Sequence, residues 1–248
     1  MTTLNLSGRS LIRLKIGDDG DLIAYSLFSE PEKFSLVGVT TLYCDVNQLT
    51  SLPLLPNEVE KLDCSLNRLS DLPATLPKNL KELGCSFNQL TSLPATLPKN
   101  LQELHCLNNQ LTSLPSLPKN LKELRCFNNQ LEGLPPLPKK LEALNCSNNQ
   151  LTDLPSLPKD LKVLVCSINQ LTSLSSLPKG LEVLYCFSNP LKYVPFLKTR
   201  PGFHVVPKSL KKEYSVENYQ EGYRFQEVNR YLFLTFFTEI DLQLDFLT

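Results

Sequence analysis

Eight cysteines stand at Cys44, Cys64, Cys85, Cys106, Cys126, Cys146, Cys166 and Cys186, spaced 20 or 21 residues apart in a chain of 248. The same residues return around each of them. A leucine precedes every cysteine by two positions, from Leu42 to Leu184, and an asparagine follows it by three, from Asn47 to Asn189. A further leucine follows each asparagine by two, from Leu49 to Leu191. The unit reads L-x-x-L-x-C-x-x-N-x-L-x-x-L-P-x-L-P-K-x, with Val39 and Val59 replacing the first leucine in the opening two copies. Self-similarity at this period marks a supersecondary unit that cannot bury its apolar side alone, so the copies must stack.

Stacking turns each position of the unit into a column. The alternation Leu-x-Cys sends leucine and cysteine to one side of a short strand and the residue between them to the other. Parallel strands about 4.8 Å apart then give eight copies an arc on the order of 38 Å long. Only about a dozen residues remain for each return crossing, with two Leu-Pro dipeptides among them. Proline lacks an N–H and has a fixed φ, so the return is extended and polyproline-like rather than a long helix. The asparagine falls where the chain leaves the strand, and its amide can bond the backbone groups that the turn leaves unpaired.

The cysteines read as scaffold. In-register strands hold Cβ atoms about 4.8 Å apart, beyond the roughly 3.5–4.5 Å a disulfide prefers. Four thiolates in a row would span on the order of 14 Å, too far for one tetrahedral zinc. What remains is a column of small apolar residues in reduced form, which suits a cytosol.

With these motifs in place, the unit resembles the short, 20-residue bacterial class of leucine-rich repeat carried by the YopM, IpaH and SspH effector family. The likeness runs from residue 39 to about 197. It implies a leucine-rich-repeat solenoid, binding of a host-cell protein, and injection into host cytoplasm by a non-Sec route. Some members of the family add a ubiquitin-ligase domain with a nucleophilic cysteine in a Cys-x-Asp motif. No cysteine follows Cys186, so that domain is not expected here. The expected layout is an N-terminal cap over 1–38, eight repeats over 39–198, and a cap or tail over 199–248. Leu11 to Ile16 and Asp21 to Phe28 read as a hairpin around Gly17-Asp18-Asp19-Gly20. A helix within Ser209–Arg230 and a strand through Ile240, Leu242, Leu244 and Phe246 are expected in the tail, which could equally carry a secretion signal.

Lysine plus arginine balances aspartate plus glutamate at 25 each, so no overall field draws the chain to nucleic acid or anionic membrane. The N-terminus lacks the apolar core of a Sec signal. The longest apolar run, Tyr231 to Phe237, is far short of the roughly 20 residues a membrane helix needs. Lysines recur at Lys78, Lys99, Lys119, Lys139, Lys159 and Lys179, but glutamates from Glu60 to Glu182 offset them, so phosphate binding is not expected.

Binding should lie where the columns stop being uniform, on the outward strand positions. These give a charged middle, Glu82, Glu103, His105, Glu123 and Arg125, and an apolar end, Val163, Val165, Val183, Tyr185 and Phe187. Leu107 and Phe127, each after a cysteine, join them. Exposed apolar groups rimmed by charge commonly mark protein contacts. The apolar end could instead be covered by the C-terminal segment and complete the core. His105 beside two glutamates invites an acid–base reading, yet the only other histidine is His204 and a flat face excludes no water. The chain therefore reads as a non-catalytic, monomeric protein-binding module that needs no metal or cofactor. An adaptor acting within its own cell is the alternative.

Overall fold

The computed structural model describes residues 2–191 apart from Ser175, together with His204 and Val205. Eight strands, one per repeat, run as β5 (Val39–Tyr43), β6 (Lys61–Asp63), β7 (Glu82–Gly84), β8 (Glu103–His105), β9 (Glu123–Arg125), β10 (Ala143–Asn145), β11 (Val163–Val165) and β12 (Val183–Tyr185). They pair in parallel and in strict register, each central leucine opposite the next. The return segments contain no helix among the described residues. A short strand, β13 (His204–Val205), pairs in parallel with β12 and extends the sheet. The helix and strand expected between Ser209 and Phe246 lie outside the described residues.

The N-terminal region does more than form a hairpin. Strands β2 (Leu11–Ile16), β3 (Leu22–Ser26) and β4 (Glu32–Phe34) make an antiparallel three-stranded sheet. Ahead of them, β1 (Thr2–Asn5) joins the main sheet in parallel beside β5, with Leu4 opposite Leu42. Leu6, fully buried, occupies the place that a cysteine fills in later copies. The segment is thus a degenerate repeat without the cysteine and asparagine that mark the others.

The leucine and cysteine columns of the eight strands are buried throughout. All eight cysteines are free thiols. Burial pushes the Cys106, Cys146 and Cys186 thiols up to about 12, and raises the other five as well.

The asparagine column ties each copy to the one before it. The Asn149 amide donates to the carbonyls of Cys146 and Ser147 in its own copy at 3.1 Å each, and to Cys126 of the preceding copy at 3.1 Å. Its Oδ1 accepts from the Leu131 N–H at 3.0 Å. Asn67, Asn88, Asn109, Asn129, Asn169 and Asn189 repeat this pattern. Asn47 applies it to the cap, donating to the Leu6 carbonyl at 2.9 Å and accepting from the Leu11 N–H at 2.9 Å. Every turn out of a strand would otherwise leave buried backbone groups unpaired.

Two outcomes follow from these columns. Asn149→Ala should cost about 3 kcal/mol in urea unfolding, because leaving a buried polar group unpaired costs about 1–3 kcal/mol and several are stranded here. The exposed neighbour, changed as Gln150→Ala, should stay within about 0.5 kcal/mol of wild type. Thiol burial also sets an alkaline limit. Unfolded cysteine ionises near pH 8.5, so each raised folded pKa contributes stability that is intact below that pH and is lost as the pH climbs toward about 12. Each thiol removes about 1.4 kcal/mol per pH unit once the unfolded form is ionised. With reductant present, the urea midpoint should fall steeply above about pH 9, and a flat midpoint through pH 10 would contradict this.

Candidate protein-binding site on the concave strand face

Alternation on each strand points the two residues flanking the central leucine away from the core. One outward row runs Lys61, Glu82, Glu103, Glu123, Ala143, Val163 and Val183, and the other Asp63, Gly84, His105, Arg125, Asn145, Val165 and Tyr185. A groove of about 800 Å³ lies over this face, reaching from Asp45 beyond β5 to Val165 on β11. It brings together His105, Leu107, Glu123, Arg125, Phe127, Val163 and Val165. Glu82 and Glu103 instead line a recess of about 90 Å³ with Lys61, Asp63 and His105. Val183, Tyr185 and Phe187 line neither hollow.

Charge on the face is partly neutralised within the chain. Lys61 Nζ lies 2.5 Å from Glu82 Oε2 and over the Tyr43 ring at 5.8 Å. Glu123 Oε1 takes the Arg125 Nε at 2.5 Å and stands 3.3 Å from His105 Nε2. Glu103, His105 and Glu123 each offer one donor atom within 4.8 Å of the others, a set that could hold a divalent cation. The guanidinium of Arg125 competes for the same Glu123 oxygen, so the geometry favours an ion-pair network over a metal.

The apolar end is less open than its composition suggests. Val165 is only 9% exposed, because it stands in register between the longer side chains of Asn145 and Tyr185. Val163 and Val183 are half-buried. Tyr185 has its phenol pKa raised by burial.

One end of the groove is built by Asp63, from the outward row, with three residues that sequence patterning passed over: Asp45, Leu66 and Phe87. Leu66 and Phe87 belong to a column two residues after each cysteine, comprising Val46, Leu66, Phe87, Asn108, Asn128, Asn148, Ile168 and Ser188. All eight have φ between 49° and 55°, and Gly8 at 66° holds the same place in the degenerate repeat. Left-handed backbone suits glycine and asparagine and costs other L-residues about 1–2 kcal/mol. In the middle of the column asparagine meets that demand, with Asn128 donating to Asn108 and Asn148 to Asn128, each at 2.6 Å. Elsewhere the column carries Val46, Leu66, Phe87 and Ile168 at a conformational cost.

Comparison with known proteins agrees with this architecture. The family model for Leucine Rich repeats (2 copies) matches residues 78–119, 99–139, 119–159 and 139–179. YopM from Yersinia enterocolitica shares 31% identity at a TM-score of 0.54, over 70% of this chain and 47% of its own. YopM from Yersinia pestis, described as a leucine-rich effector protein, gives 32% and 0.58, over 67% and 53%. The functional domain of InlJ from Listeria monocytogenes, described as including a cysteine ladder, gives 27% and 0.52, over 63% and 41%. The chain spans about half the length of the two YopM chains. No match was found among curated protein sequences. The chain is a leucine-rich-repeat solenoid whose repeats are similar to those of the bacterial effector YopM.

The left-handed column yields a direct test. Ile168 is 45% exposed at a φ of 55° and lies beside Asn148. Ile168→Asn should relieve the backbone and extend the asparagine row, stabilising the protein by about 1 kcal/mol. The thermal midpoint should rise by about 2–4 °C, and a lower midpoint would refute the strain.

Proposed function

We propose that the chain is a non-catalytic protein-binding module that acts as a bacterial effector, holding a host-cell protein against its concave strand face. The observation that carries this reading is the groove itself: charged and apolar side chains gather over a scaffold whose remaining columns hardly vary. Solenoids recognise partners through extended concave surfaces of this kind. Similarity to YopM over two thirds of the chain supports the effector role and delivery into host cytoplasm, as does a core of eight free thiols. Among the described residues no helix is long and apolar enough to cross a membrane. The contact residues proposed are Glu82, Glu103, His105, Leu107, Glu123, Arg125 and Phe127, with Val163, Val165, Val183, Tyr185 and Phe187 at the apolar end. The protein acts as a monomer.

A photo-crosslinking amino acid placed at Phe127 should capture a host protein that the same group at Lys139, on the exposed lysine column, does not. Arg125→Glu should cut that yield on the order of tenfold, the effect of one interface anchor worth about 1.4 kcal/mol. Equal capture from both placements would overturn the concave-face reading.

A further inference from the structure

On the reading that the concave face holds a protein segment, we propose a specific chemistry for that segment. It carries a lysine or arginine beside large apolar side chains. The cation sits against Asp45 and Asp63, whose carboxylate lies over Gly84, and the apolar side chains lie along Leu66, Phe87, Leu107 and Phe127.

The first argument is charge. Three carboxylates line the groove, Asp45, Asp63 and Glu123, against the single guanidinium of Arg125. Glu123 is already paired with that guanidinium. Among the described residues the Asp45 carboxylate accepts only the Ser7 hydroxyl, at 2.5 Å, and the Asp63 carboxylate only the Ser65 N–H, at 3.0 Å. Among the described residues neither has a cation within 4.0 Å. Lys61, the nearest candidate by register, is held by Glu82 and the Tyr43 ring. A partner that covers these carboxylates must replace their water, and a cationic group, which supplies opposite charge as well as donors, compensates for it most fully.

The second argument is space. Gly84 is the one position in its outward row without a side chain. A Cβ there would stand 2.7 Å from Asp63 Oδ1 and 3.3 Å from Ser65 Oγ. The residues after the neighbouring cysteines, Ser65 and Ser86, are also small, whereas Leu107 and Phe127 follow the next two. The missing side chain therefore lets the Asp63 carboxylate lie over the Gly84 backbone among small residues, with apolar groups walling the groove beyond.

The third argument is conformational. Leu66 and Phe87 face the groove from left-handed backbone, in a column that asparagine fills at its middle. An apolar side chain kept where the backbone disfavours it, at a groove wall, marks a contact surface.

The test uses the full chain and three fluorescein-labelled decapeptides, alternating arginine with leucine, glutamate with leucine, and arginine with serine, read by fluorescence anisotropy. The arginine–leucine peptide should bind, more weakly as salt rises. Phe87→Asn should weaken it at least about tenfold while the thermal midpoint holds or rises, and Leu66→Asn should act alike. Asp63→Asn should weaken binding and flatten its salt dependence. Comparable binding of the glutamate–leucine or arginine–serine peptide would overturn the proposal, as would affinity unchanged by Phe87→Asn and Asp63→Asn. Absence of arginine–leucine binding would also overturn it. If face-dependent crosslinking persisted in any of those cases, the groove chemistry would be wrong and the concave-face reading would stand.

Discussion

Every repeat must leave its strand through a tight turn whose carbonyls face the protein interior, and the rest of the solenoid depends on how those carbonyls are paired. The asparagine column meets that demand by reaching across to the preceding copy, so each turn is completed by its neighbour. Asn67 bonds Cys44 as well as Cys64, and Asn189 bonds Cys166 as well as Cys186. No copy closes alone, which forces the columns of leucine, cysteine and asparagine to stay uniform. Variation is tolerated only where side chains leave the core, and there the surface acquires its chemistry.

The same turn imposes a second requirement, a left-handed residue two places after each cysteine. Asn108, Asn128 and Asn148 satisfy it and hydrogen-bond along the row. Leu66 and Phe87 satisfy it while presenting apolar surface to the groove. Scaffold and recognition therefore compete at these two positions, whereas the cysteines answer to the scaffold alone. Their thiols are buried and held protonated by that burial, which fits a small apolar packing unit and not a reactive group.

Much of this was legible from the repeat. Strand positions, the extended return, the bonding role of the asparagines and the packing role of the cysteines follow from period and residue type. The degenerate first copy was not legible, because Leu4 and Leu6 keep the spacing of Leu-x-Cys without the cysteine or asparagine that announces it. The Leu66 and Phe87 end of the groove was hidden for a different reason. Leu66 and Phe87 look like ordinary variable residues until the sign of φ is known, and Asp45, outside the outward rows, joins the groove only once the stacked turns are in place. Val165 reads as exposed on alternation alone, yet register places it between Asn145 and Tyr185. The outward rows, with the residues that follow Cys106 and Cys126, did place His105, Leu107, Glu123, Arg125 and Phe127 together, because strict in-register stacking converts sequence position directly into position on the face.

The account rests on a division of labour between uniform columns that hold the solenoid and variable side chains that hold a partner. Amide hydrogen exchange, compared between the free chain and its complex with a captured partner, measures that division along the chain. Added protection should concentrate in residues 63–67, 84–88, 105–109 and 125–129, at the strand ends and turns that carry the groove. Protection confined to the extended return segments at 112–120 and 132–140, with none on the strand side, would contradict it.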